Sequence, residues 1–103
     1  MSHRHQLLRA AAFANGHKYH LIVIARVGKT LVWKTNLDRR CAERRLLAHL
    51  DGVQVDAVEV LRFRKAGGMG MAKPCAACRL ALQAAGVRWV KYSTPDGMVK
   101  ERV

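Results

Sequence analysis

Only three cysteines occur in the 103 residues, and an odd number fits a disulfide scaffold poorly. In a reducing compartment such cysteines are more often metal ligands or catalytic groups. No apolar run approaches the roughly 18–20 residues that a membrane span requires. The opening Met1-Ser2-His3-Arg4-His5 leads straight into a helical pattern without the apolar stretch of a secretory signal, so a cytoplasmic protein is expected. His3 and His5 are too few and too mixed to form a tag. Internal repeats, low-complexity tracts and linkers are also missing, so residues 1–103 read as one domain, near the size where a single core is adequate but not generous. Acidic residues are scarce, seven against 19 lysines and arginines, which leaves a net charge of +12. A field of that strength attracts polyanions and phosphorylated ligands. The basic residues are spread along the chain, from Arg39-Arg40 and Arg44-Arg45 to Arg88 and Lys91, which places them on a folded surface rather than in a disordered arm.

What is present is a periodic alternation of helix and strand. Leu7, Leu8, Ala11 and Ala12 define the inward face of a helix over about 5–14, ended by Asn15-Gly16. Residues 18–26, with the run Leu21-Ile22-Val23-Ile24, and residues 30–35, with Leu31-Val32-Trp33, read as strands joined by a hairpin at Val27-Gly28-Lys29. Asp38 is a candidate cap for a helix over 39–50, stopped by Asp51-Gly52. A third strand is expected over 57–64, then a flexible loop at Gly67-Gly68-Met69-Gly70. Pro74 suits the first turn of a further helix reaching Ala85, with Gly86 as its cap. Strands over 87–93 and 98–103, turned by Pro95-Asp96-Gly97, close the chain as an antiparallel hairpin. The order α-β-β-α-β-α-β-β implies an α/β fold: a three-layer α/β/α sandwich around a five-stranded mixed sheet.

This map puts Cys41 in the first turn of one helix and Cys75 and Cys78 in the first turn of the next. Helix N-termini stabilise anions and depress thiol pKa values. The i, i+3 spacing of Cys75 and Cys78 sets both sulfurs on one side of a turn, and Cys41 supplies a third thiolate. Tetrahedral zinc bound by three protein ligands keeps one open position, the mark of a catalytic rather than a structural site. Glu43, two residues after Cys41, can stand beside that position and move protons between water and substrate. Three thiolates on a divalent cation leave one net negative charge, which Arg44, or failing it Arg79, can offset by donating hydrogen bonds to sulfur. Against this stand plainer readings: a structural site with His49 as fourth ligand, although His49 lies two turns beyond Cys41, or simple buried thiols. Trp33, Trp89, Phe63 and Tyr92 read as core or subunit-interface residues, His17 and His20 as structural or solvent-facing, and Arg39, Arg40 and Arg45 as solvated helix charges.

Cys41-Ala42-Glu43-Arg44, followed by Pro74-Cys75-Ala76-Ala77-Cys78-Arg79, resembles the cytidine deaminase superfamily. The wording is closer to its three-cysteine cytidine deaminases and short phage-type CMP/dCMP-deaminase-like members than to the tRNA adenosine deaminases, which carry histidine first. The resemblance implies Zn2+ as cofactor and a hydrolysis in which activated water attacks C4 of the pyrimidine. It gives Glu43 the protons of N3 and of the departing amine, and ammonia leaves. It also implies substrate contacts at Asn36 and Ala42, with Asn36-x-Asp38 a compressed version of the pair that grips ribose. The expected substrate is (deoxy)cytidine or its nucleotide. Deamination of cytosine in single-stranded DNA or RNA is the alternative, supported by the charge. An alternative of another class is a zinc-stabilised basic nucleic-acid-binding module without catalysis. Small three-cysteine deaminases assemble so that neighbours complete each pocket, so a homo-oligomer is expected.

Overall fold

The computed structural model describes residues 6, 8–10, 12, 20–35, 41–64 and 68–103. The N-terminal residues among them, Gln6, Leu8–Ala10 and Ala12, are helical. The cap expected at Asn15-Gly16 and the helix start expected at Asp38 lie outside the described residues.

Five strands form one mixed sheet: β1 (Leu21–Val27), β2 (Thr30–Thr35), β3 (Ala57–Arg62), β4 (Trp89–Thr94) and β5 (Gly97–Arg102), in the spatial order β2-β1-β3-β4-β5. Helix α1 (Ala42–His49) follows β2 and helix α2 (Ala76–Ala84) follows β3. Between β1 and β2 the chain reverses over Gly28-Lys29, where Gly28 takes φ 61°, and Val27 pairs with Thr30. A residue without Cβ adopts that left-handed conformation at little cost. At the other hairpin the Thr94 hydroxyl accepts from the Asp96 N–H (3.1 Å) and donates to the Gly97 carbonyl (2.8 Å), fixing the Pro95-Asp96 turn. The expected antiparallel closing pair is present.

Strand alternation divides the core. Val23, Ala25, Val58, Val60, Val90 and Tyr92 face the layer of α1 and α2, against Leu46 and Leu82. Ile22, Ile24 and Leu61 face the opposite way, against Leu8 and Ala12 of the N-terminal helical residues and Phe63. β1 is thus covered on both faces, which explains its continuous rather than alternating apolar run. The sheet lies between two helical layers, the architecture expected from the sequence.

Two local expectations are corrected. Gly68–Gly70 is no free loop: Arg64 N–H donates to the Gly68 carbonyl (3.2 Å), Gly70 N–H to the Arg62 carbonyl (2.8 Å), and Phe63 bridges Met69. The Ser93 hydroxyl locks this return by donating to the Gly70 carbonyl (2.8 Å) and accepting from Arg62 N–H (3.0 Å). Ser93 is distant in sequence from this segment, so composition alone read the glycines as flexible. Helix α2 begins at Ala76, with Cys75 as its N-cap and Pro74 outside it. Its end behaves as expected: Gly86 takes φ 85°, and the Val87 N–H returns to the Leu82 carbonyl (3.0 Å).

Topology positions the helix starts. β2 and β3 are both antiparallel to β1, so they run in the same direction. The helices that follow them therefore begin at the same edge of the sheet. Both lie on one face and contact each other.

Candidate metal centre

Cys41 and Cys75 are the N-cap residues of α1 and α2, each in an extended conformation (φ −65°, ψ 145° and φ −67°, ψ 166°). Both lie one step outside the first turn where the sequence pattern put them. Their carbonyls accept the first helical hydrogen bonds, from Arg45 N–H (3.1 Å) and Arg79 N–H (2.9 Å). Their thiols therefore project from the helix mouths, where unpaired N–H groups and the helix dipole favour negative charge. Cys78, on the first turn of α2, is fully buried, Cys41 is half-buried and Cys75 is exposed. The three Sγ atoms lie within 4.8 Å of one another, and the thiols are free.

Their protonation is differentiated. The Cys78 N–H and thiol donate to Cys75 Sγ and hold that thiol below its ordinary pKa. Burial pushes the Cys78 thiol far up, helped by its hydrogen bond with Cys41 and by the negative charge of Glu43. Glu43, in the first turn of α1, is itself only 5 % exposed, and its charge is felt by both Cys75 and Cys78. A carboxylate is thus buried beside three convergent thiols. Among the described residues the cluster includes no histidine and no carboxylate oxygen. His49 is exposed at the far end of α1.

A soft three-thiolate set suits zinc. Sulfurs tetrahedrally placed at the usual Zn–S length of about 2.3 Å lie about 3.8 Å apart, so a group already this tight needs only side-chain adjustment. The three thiols fit a zinc ion.

Of the remaining candidates, Asn36 lies outside the described residues. Ala42 is completely buried as the first residue of α1, so its N–H belongs to the unpaired donors of a helix start. Arg44 is exposed, and the influences on the Cys75 and Cys78 thiols come from burial, the cysteines themselves, the Ala77 N–H and Glu43. Arg45 is half-buried and donates from its guanidinium to the Thr35 carbonyl, tying α1 to the end of β2; it is no solvated helix charge.

Arg79 is engaged elsewhere. It donates to Glu101 Oε2 (3.3 Å) and to the Arg102 carbonyl. The same carboxylate accepts from the buried Tyr92 hydroxyl (2.8 Å) and pairs with Lys73 Nζ (3.8 Å). Tyr92 and the flanking cations hold the Glu101 carboxyl below its ordinary range, and Glu101 in turn raises the Tyr92 phenol. Lys73 and Arg79 bracket the C-x-x-C segment, so Glu101 ties both of its flanks to β5. Sequence reasoning passed over Glu101. The available signal was its place between Val99 and Val103 on the inward side of an alternating strand.

The solved structure of cytidine deaminase from Mycobacterium leprae matches 97 % of this chain and 94 % of its own, at 22 % sequence identity and a TM-score of 0.56. No family model matches the sequence, and no curated protein does. At that identity the likeness establishes architecture. The chain has the cytidine deaminase fold.

Proposed function

We propose that the chain is a zinc-dependent hydrolytic deaminase that converts a cytosine base to uracil and releases ammonia, acting on (deoxy)cytidine or its nucleotide. One observation carries this reading: three free thiols converge at two helix mouths with a buried carboxylate two residues after the first of them. Zinc held by Cys41, Cys75 and Cys78 would supply Lewis-acid activation of water near neutral pH. Glu43 accepts a proton from the attacking water and delivers protons to ring N3 and the exocyclic amine, so that water and cytosine become uracil and ammonia. The Ala42 N–H and Asn36 are assigned to hold the substrate. Arg44 is assigned to offset the excess negative charge of the thiolates by turning toward them from its exposed position.

Incubation of the zinc-loaded protein with cytidine, deoxycytidine, dCMP and a cytosine-containing oligonucleotide, followed by measurement of uracil, tests the assignment. Turnover of a mononucleoside or mononucleotide is expected. Turnover of the oligonucleotide alone moves the reaction to single-stranded nucleic acid, the second reading, which the net charge of +12 favours. No product from any of them with zinc bound leaves a basic zinc-stabilised binding module. A homo-oligomer is proposed as the working form; sedimentation as a monomer at assay concentration would refute it.

A further inference from the structure

Among the described residues, the sheet face opposite α1 and α2 is covered at one end. Leu8 and Ala12 pack there against Ile22, Ile24 and Leu61. Beyond them the strand registers lay out two cross-strand rows. In one, Leu31 pairs with Arg26 on β1, and further along Trp89 on β4 pairs with Arg102 on β5. In the other, Trp33 pairs with Ile24, Ile24 with Glu59, Glu59 with Lys91, and Lys91 with Lys100. Trp33 is 46 % exposed and Leu31 40 %, so of the core and interface roles expected for Trp33 the core role does not hold. Arg26, Lys91, Lys100 and Arg102 are all exposed.

Charge on this surface is one-sided. Among the described residues, the four cations Arg26, Lys91, Lys100 and Arg102 share this face with the carboxylate of Glu59. Lys91 and Lys100 are directly opposite each other on neighbouring strands, a like-charge pairing that weakens a sheet unless an anion bridges it. Lys100 and Arg102 both lie over the Trp89 ring, 4.9 and 5.5 Å from its centre. That stacking holds their stems in place and presents their charges as an ordered pair. Between Leu31 and Trp89 runs a trough of about 350 Å³, bordered by Arg26, Lys91 and Lys100, within the size range of sites for small planar groups. Trp33, about 14 Å from β4 across three strand spacings, offers a second flat apolar surface on the same face.

We propose that this open face docks single-stranded nucleic acid, with phosphates met by Arg26, Lys91, Lys100 and Arg102 and bases received by Trp33 and the trough beside Trp89. A sheet that combines cations with exposed aromatic rings binds single strands by neutralising phosphates and stacking bases. Folded double helices present no unstacked base to such a surface, and an acidic peptide would leave Trp33 without a flat partner. The face lies across the sheet from the thiol cluster. The proposal therefore stands whether or not those thiols support deamination.

Fluorescence anisotropy of a labelled single-stranded oligodeoxycytidylate, titrated with the full chain over a range of salt, tests it. Binding is expected to weaken linearly in log–log form as salt rises. Lys91→Ala and Lys100→Ala should each flatten the slope by about 0.7 if each contacts one phosphate. Trp33→Leu should weaken binding roughly tenfold and leave the slope unchanged. All three positions are exposed, and circular dichroism is the check that each variant is folded. Absence of binding, or binding indifferent to all three substitutions, overturns the proposal. Heparin bound as tightly as the oligonucleotide, with no effect of Trp33→Leu, would make the face a general polyanion surface and overturn the nucleic-acid assignment. Dissociation of an oligomer by Lys91→Glu or by Trp33→Leu in sedimentation would make it a contact between copies, with the same consequence.

Discussion

Replacing Glu43 with glutamine separates two effects that most substitutions near a metal centre confound. The side chain is 5 % exposed and sits in the first turn of α1. Glutamine keeps its volume, so no cavity opens, and neutralising a buried carboxylate removes a desolvation cost. Three thiolates around a divalent ion carry one net negative charge, which the Glu43 carboxylate repels; its charge already disfavours the thiolate form of Cys78. Glu43→Gln should therefore retain zinc in competition with a chelator as well as the parent, or better. Its turnover should fall by about 10²–10⁴-fold, since a positioned acid–base group contributes that much, or about 3–5 kcal/mol in the barrier. Zinc stoichiometry, chelator competition and uracil release on the same samples measure all three quantities. Near-parental turnover would remove the proton-transfer role. Loss of zinc together with activity would show Glu43 to be a structural partner of the cluster.

Cys78→Ser should abolish stoichiometric zinc binding, read by metal analysis of the purified chain, because a buried hydroxyl replaces the innermost of the three sulfurs. Leu46→Ala, at a fully buried position of α1 facing the sheet, should cost about 3 kcal/mol in urea unfolding with an unchanged slope against urea. Glu101 has a carboxyl held below its ordinary pKa, so its contribution is complete above the ordinary glutamate range and is lost as pH falls through the depressed value. Thermal melts from about pH 7 down to about pH 3 should show a steeper acid-side loss for the parent than for Glu101→Gln; equal profiles would remove the stabilising role of that carboxylate.

Those predictions rest on features that were unequally visible in the sequence. The two hairpins were legible because local residues fix them: Gly28 supplies the left-handed conformation, and Thr94, Pro95 and Asp96 build their own turn. The thiol cluster was legible because the i, i+3 spacing and the third cysteine near a helix start carry the chemistry in residue type. Cys41 and Cys75 fall at N-caps rather than in first turns because the apolar pattern that marks a helix does not distinguish its cap from its first turn. The bracing of Gly68–Gly70 by Ser93, and of Lys73 and Arg79 by Glu101, was not legible. Each depends on which strands become neighbours, and a polar residue in a strand does not announce its partner. Trp33 illustrates the same gap: its hydrophobicity suggested a core or interface place, and only the register puts it on the face away from α1 and α2, where it is exposed.

The two ends of the sheet consequently separate two kinds of selection. At one edge, the shared direction of β2 and β3 forces α1 and α2 to begin together, so any residues at those starts are neighbours whatever the rest of the surface does. The proposed reaction would rest there on very few side chains. On the far face no such convergence operates, and cations and tryptophans meet only because alternate residues of β1, β2, β4 and β5 point the same way. Substitutions on that face leave the sheet hydrogen bonds intact and alter only what the molecule attracts. A free nucleoside gains nothing from that distant surface, because it cannot span from it to the thiols around the sheet. A polymer can touch both. If the oligonucleotide is turned over with a lower KM than dCMP, and Lys91→Ala with Lys100→Ala raises the KM for the oligonucleotide while leaving dCMP unaffected, the face selects the substrate. Equal changes for both would place the effect at the thiol cluster and sever the link.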